Sequence, residues 1–171
     1  MPNWCDNYLT VSSDDKETLE KFYEENVVPD EEDPEFAQLS FNKSVPMPEF
    51  PENDENDEND ENDWCRNNWG TKWEPNCHDN YGFDELYTEC GEGWDHSHEV
   101  SINFLTAWSP PVLWLETVAR KYPDLHFELR FSECGCNFSG YDLYKNGIRI
   151  EREEGDCGEY YGERECQFCE N

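Results

Sequence analysis

Val100-Ser-Ile-Asn-Phe-Leu-Thr-Ala107, Trp108-Ser-Pro-Pro111, Val112-Leu-Trp-Leu-Glu-Thr-Val-Ala119 and Leu125-His-Phe-Glu-Leu-Arg-Phe131 together decide the fold. Val100, Ile102 and Phe104 alternate with other residues, the period-two mark of a strand with one buried face. Pro110 or Pro111 opens a helix, because a first-turn residue needs no N–H of its own. Val112, Leu115, Val118 and Ala119 then recur at helical spacing, and Tyr122-Pro123 ends the run. Leu125 to Phe131 alternates again as a strand.

The pattern extends both ways from this strand–helix–strand unit. Upstream, Leu9-Thr-Val-Ser12 closes a strand that begins near Asn7. Ser12 or Ser13, followed by Asp14, Asp15 and Glu17, is a helix start with acids in its first turn. Leu19, Phe22 and Tyr23 give that helix an apolar face, and it stops before Pro29. Phe36-Ala-Gln-Leu-Ser-Phe41 is expected as a second strand, ended by Val45-Pro-Met-Pro48. Residues 64–98 read as a long aromatic-anchored connection with one helical turn at Phe83–Cys90. Downstream, Asn146-Gly147 sits between Tyr141–Tyr144 and Ile148–Ile150 as a tight hairpin turn.

The order is strand, helix, strand, insertion, strand, helix, strand, hairpin. This is the α+β class, a ferredoxin-like β-α-β-β-α-β split fold. Two helices cover one face of an antiparallel sheet. A long aromatic and acidic insertion separates the second and third strands, and a C-terminal hairpin extends the sheet. The expected division is a domain over residues 1–150, including an insertion at about 46–98, and an acidic Cys-containing tail over 151–171. Within the insertion, Glu52–Asp63 is four Glu-Asn-Asp triplets with no apolar residue, expected as a mobile loop at 52–63.

Composition narrows the function. The chain has 171 residues, 12 basic and 42 acidic, for a formal net charge of −30. Aromatic residues make up 15% of it, enough for a packed core despite few aliphatic side chains. No apolar run reaches the ~20 residues that cross a bilayer. The start, Met1-Pro-Asn-Trp-Cys-Asp6, lacks the basic and apolar segments of a signal peptide. A cytoplasmic location and no membrane contact are the expectations. Direct nucleic-acid binding is disfavoured, because it draws on Lys and Arg at the phosphates and no basic patch is present. Two readings of the acidity stand: solubility in a salty setting, or a basic protein partner.

Several motifs resemble a known family in order and spacing. They are Met1-Pro-Asn-Trp-Cys-Asp-Asn7, Phe41-Asn-Lys-Ser-Val-Pro-Met-Pro48 and Asn68-Trp-Gly-Thr-Lys-Trp73. Thr106-Ala-Trp-Ser-Pro-Pro111, Tyr122-Pro-Asp-Leu125 with Phe127, and Glu133-Cys-Gly-Cys-Asn-Phe-Ser-Gly140 continue the set. The chain resembles the YubB-like, or Api92-like, ferredoxin-like domains of plasmids and bacteriophages. The resemblance implies the fold and a mobile-element origin, and no activity. The Glu-Asn-Asp repeat and the acidity depart from the plain family pattern. "Ferredoxin-like" names a topology and implies no iron–sulfur cluster.

Candidate sites follow from residue chemistry. Nine cysteines include the Cys134-Gly-Cys136 and Cys166-Gln-Phe-Cys169 pairs. Cys134, Cys136, Cys166 and Cys169 could form a four-thiolate zinc site. Scattered thiols without metal and disulfides are the other readings of the same residues. His96-Ser-His98 with Asp95 or Glu99 is a second possible metal set, although a histidine pair before a strand is more often plain loop surface. No cofactor other than zinc is suggested. No phosphate loop, zinc-protease helix or nucleophile elbow occurs. With 42 acids, carboxylate pairs arise by chance, so no catalytic residue is assigned and the chain reads as a non-enzyme. Trp4, Trp69, Trp73, Trp108 and Trp114 are expected to lock the insertion onto the core. The acids Glu52, Asp54, Glu55, Asp57, Glu58, Asp60, Glu61 and Asp63 are the candidate partner surface. The leading reading is an accessory protein that occupies the nucleic-acid channel of a basic host protein, as a mimic or anti-defence inhibitor. A zinc-stabilised accessory domain is the alternative.

Overall fold

The N-terminal strand β1 (Trp4–Ser13) lies in the middle of a six-stranded antiparallel sheet, flanked by strands from the second half of the chain. A computed structural model describes residues 3–29, 36–50, 57–77 and 82–157. After β1, helix α1 (Lys16–Asn26) leads directly into β2 (Val27–Pro29), which pairs with β3 (Ala37–Leu39). The short α2 (Phe41–Ser44), α3 (Asp57–Asn68) and α4 (Phe83–Leu86) follow. Next come β4 (Tyr87–Glu89), β5 (His98–Ala107), α5 (Val112–Lys121), β6 (His126–Glu133), β7 (Phe138–Lys145) and β8 (Ile148–Gly155). The large sheet runs β4-β5-β1-β6-β7-β8.

The first four strands of that order are the second, third, first and fourth strands of the split ferredoxin-like plan. β7 and β8 are the hairpin extension. Its turn has Asn146 at φ 52 and Gly147 at φ 74, the paired left-handed conformations that such a turn requires.

Two expectations need correction. The second strand of the split fold is β4, not Phe36–Phe41. Residues Ala37–Leu39 do form a strand, but it pairs with β2 in a separate two-stranded sheet. The insertion therefore lies before the second strand rather than after it. The expected acidic loop is also helical from Asp57 onward. Its acids lie at the N-terminal end of α3, where negative charge complements the helix dipole. Residues 51–56 lie outside the described residues, as do 158–171 of the expected tail, and residues 151–155 of that tail complete β8.

Helix α1 is capped by Asp15, whose carboxylate accepts from the Glu17 N–H at 3.2 Å and the Thr18 hydroxyl at 2.6 Å. Its Leu19 and Phe22 are fully buried, each stabilising the fold by about 1.5–3 kcal/mol. Both helices cover the sheet face formed by Leu9, Val11, Val100, Ile102, Phe104, Phe127, Leu129 and Phe131. Phe22 meets Tyr122 and Phe127 edge to face at 5.4 and 5.6 Å.

The insertion is nailed down by aromatic rings. Phe41 is fully buried and packs on Trp114 at 4.7 Å, Trp69 at 5.7 Å and Phe104 at 6.0 Å. Trp69 donates from Nε1 to the Val45 carbonyl, and Trp114 from Nε1 to Ser44 Oγ. The Trp69-Gly-Thr71 segment is zipped to the Trp-Ser-Pro-Pro turn. Ser109 Oγ donates to the Gly70 carbonyl at 2.7 Å, and Thr71 Oγ1 to the Ala107 carbonyl at 2.9 Å. Gly70 has φ +89, and a Cβ there would meet the Val112 nitrogen at 3.2 Å.

Candidate functional site

The β4–β5 hairpin carries the clearest cluster of chemical groups. The Cys90 N–H donates to the Ser97 carbonyl at 2.8 Å, so the chain turns back across Gly91–His96. Gly93 at φ +104 permits that reversal. The turn brings Cys90 Sγ, His96 and Glu99 together, with their ligand atoms all within 4.8 Å of one another. His96 Nε2 and Glu99 Oε2 are 3.2 Å apart, and both side chains are largely shielded. Burial and the neighbouring Glu99 raise the Cys90 thiol pKa.

Surrounding contacts hold the turn in place. The Asp14 carboxylate accepts from both the Ser97 N–H and Oγ, each at 3.1 Å. Tyr87 stacks on His98 and its hydroxyl lies 2.7 Å from His98 Nδ1. Lys145 reaches Asp95 at 3.9 Å. The Trp94 ring, 65% exposed, stands 6.0 Å from the His96 ring.

His96 and Glu99 also line a groove of about 550 Å³ on the sheet face opposite the helices. Tyr8 and Thr10 of β1, His126 and Arg130 of β6, and Leu143 and Lys145 of β7 form its floor. Arg130 pairs with Glu128 and Lys145 with Asp95, so its cations are balanced by carboxylates. Burial, then Lys145 and His96, lower the pKa of His126.

The other candidate residues are distributed differently. Cys134 and Cys136 flank a turn held by Glu133, whose carboxylate accepts from the Gly135 and Cys136 N–H groups at 2.8 and 2.5 Å. Asn3 Nδ2 reaches Cys136 Sγ at 3.7 Å. Cys166 and Cys169, the other half of the four-thiolate set, lie outside the described residues. Trp69 and Trp114 are buried in the core, and Trp73 is half-buried against Trp4. Trp4 and Trp108, expected in the core, are 36% and 45% exposed. Trp4 starts β1 at the sheet margin, and Trp108 adopts φ 72 in the turn before α5. Of the candidate acids, Asp60, Glu61 and Asp63 are all exposed on α3. Asp57 and Glu58 are helical, and Glu52, Asp54 and Glu55 lie outside the described residues.

Sequence reading paired His96 with Glu99 but missed Cys90. The cysteine joins them only through the hairpin pairing of Cys90 with Ser97. A Cys, a His six residues on and a Glu three further are the available signal, if a reverse turn is assumed between the first two.

Most cations among the described residues are engaged within the fold. Lys16, Arg66, Arg120, Lys121, Arg130, Lys145, Arg149 and Arg152 each lie within 4.0 Å of a carboxylate oxygen. Arg149 and Arg152 converge on Asp142, which is fully buried. Burial raises the Asp142 pKa more than the two arginines lower it. Lys43 donates to the Glu24 and Val27 carbonyls, and Lys72 lies over the Trp73 ring.

Residues 90–168 match the family model described as the ferredoxin-like domain in Api92-like protein. This stretch contains β5, β6, β7 and β8 but not the central β1. A crystal structure of protein api92 from Yersinia pseudotuberculosis is similar over 57% of this chain and 30% of its own, at 16% identity and a TM-score of 0.37. The similarity thus spans less than a third of that protein's length. No curated protein matches the chain. Over residues 90–168, the chain is thus similar to the ferredoxin-like domains found in Api92-like proteins.

Proposed function

We propose that this protein is a non-catalytic accessory protein whose acidic surface engages a basic host protein, presenting carboxylates where that partner normally meets nucleic-acid phosphates. The carrying observation is the fate of its cations. Eight described Lys and Arg side chains already face carboxylates within the fold, and 42 acids outnumber 12 bases in the chain. The net charge presented outward is therefore strongly negative. A field of that kind speeds the encounter with a basic cleft and weakens as salt rises. Asp60, Glu61 and Asp63 on α3 contribute to it, on a helix fixed to the core through Cys65 and Trp69. No described helix is long and apolar enough to cross a membrane. The partner is sought in the host cytoplasm, among proteins that handle nucleic acid.

The test is capture from host lysate at about 0.15 M salt, where the Debye length is about 8 Å, with release at about 1 M, where it is about 3 Å. Mimicry requires that duplex DNA displace the captured protein. It also requires that Asp60→Asn/Glu61→Gln/Asp63→Asn weaken the capture. A captured protein indifferent to salt and DNA, or none at all, overturns the reading.

The alternative, a zinc-stabilised accessory domain held by Cys134, Cys136, Cys166 and Cys169, predicts one zinc per chain and a lower Tm in chelator. Cys166→Ser/Cys169→Ser would abolish that zinc. Metal binding that survives this double change removes the tail from the site.

A further inference from the structure

We propose that Cys90, His96 and Glu99 bind a divalent transition metal of the zinc class, leaving one coordination position to water or an external ligand. The set supplies one sulfur, one imidazole nitrogen and one carboxylate oxygen, the three donor types that zinc prefers. Softness argues in the same direction. A thiolate with an imidazole favours zinc, cobalt or copper over magnesium or calcium.

Geometry supports the same set. A tetrahedral zinc with ordinary bond lengths places its nitrogen and oxygen ligands about 3.4 Å apart, and sulfur about 3.6 Å from nitrogen. His96 Nε2 and Glu99 Oε2 already stand 3.2 Å apart, and Cys90 Sγ lies within 4.8 Å of both ligand positions. A small thiol rotation completes the triangle. Two ligands come from opposite sides of one turn, and that turn is held by Asp14, by Lys145 and by the Cys90–Ser97 backbone bond. The scaffold is thus largely organised before a metal arrives, which lowers the ordering cost of binding. The surrounding acids, including Asp14, Asp95 and Glu92, raise the local cation concentration.

Glu99 faces both the Cys90 thiol and His96 Nε2, the arrangement three ligands of one ion need. Three protein ligands with a fourth place open is the arrangement of exchangeable rather than sealed zinc sites. The proposal does not depend on the acidic surface or on the tail cysteines.

The experiment titrates the full, reduced, chelator-stripped chain with Zn²⁺ and with Co²⁺. One tight equivalent per chain is expected, with a thiolate-to-cobalt charge-transfer band. Cys90→Ser abolishes the band and weakens zinc binding by at least about 100-fold, since even outer-shell changes cost up to about that much. His96→Gln and Glu99→Gln each weaken it by about 10-fold or more. Cys134→Ser/Cys136→Ser and Cys166→Ser/Cys169→Ser leave binding unchanged. Far-UV circular dichroism checks that each variant folds, and His96→Gln decides the question if Cys90→Ser does not. Only weak binding at many acidic sites, or tight binding lost on changing the tail cysteines but not Cys90 or His96, overturns the proposal.

Discussion

Phe41→Ala tests how the insertion is attached. Phe41 is fully buried, starts the short α2, and contacts Trp69, Trp114 and Phe104. Truncating a buried Phe to Ala costs about 3–5 kcal/mol through lost transfer energy and the cavity left behind. Edge-to-face contacts of about 0.5–1.5 kcal/mol each place this site in the upper half of that range. For a domain of this size, 1 kcal/mol lowers Tm by about 2–4 °C, so the expected fall is about 6–20 °C. That is a large part of a typical 5–15 kcal/mol total. Glu74 stays to hold the local backbone, its carboxylate accepting from the Phe41 and Asn42 N–H groups at 2.8 and 2.7 Å. The loss is therefore one of packing and not of helix start. Urea unfolding followed by tryptophan fluorescence, with Phe41→Leu as a control costing under about 1.5 kcal/mol, measures it. A loss below about 1 kcal/mol at unchanged m-value would refute the idea that this ring fastens the insertion to the sheet.

Three further outcomes are expected. The lowered His126 pKa means that the unfolded chain takes up a proton, near its ordinary 6.5, before the folded one does. Stability from this group is complete above that value and is lost as pH falls through the folded pKa; Tm measured from pH 8 to 5 should fall less steeply in His126→Gln than in the parent. Thiol labelling of the native protein should reach the exposed Cys136 well before Cys65, whose pKa is pushed up to about 11, or the fully buried Cys5, as peptide mass spectrometry can score. Gly70→Ala should cost about 1–3 kcal/mol in denaturant unfolding, because φ +89 and a 3.2 Å approach to Val112 both oppose a Cβ.

Long periodic elements were legible in the sequence. Val100–Ala107, Val112–Ala119 and Leu125–Phe131 each carry a clear period, and Asn146-Gly147 has turn chemistry that few other conformations use. The misassigned second strand shows the limit. β4 has only three residues, Tyr87–Glu89, too few for any alternation, while Ala37–Leu39 alternates but spends its pairing on Val27–Pro29. Which partner a three-residue strand finds is set by tertiary packing. The acidic repeat misled in another way. Its composition has nothing to bury, yet Cys65 and Trp69 anchor the C-terminal end of the helix it begins. The candidate metal site was half visible for a similar reason: His96 and Glu99 are close in sequence, and Cys90 joins them only after the chain reverses.

The central place of β1 governs the order in which this molecule can be made. β4 with β5, and β6 with β7 and β8, are sets of neighbouring antiparallel strands that can form soon after synthesis. Neither set touches the other within the sheet except through β1, which pairs with β5 on one side and β6 on the other. About eighty-five residues separate the end of β1 from the start of β5, or about 4–17 s of translation at about 5–20 residues per second. Through that interval Leu9 and Val11 have no sheet to join. β1 leaves the ribosome before either of its neighbours and finds both only once β6 is made, so the sheet closes when an older segment slides between two younger ones.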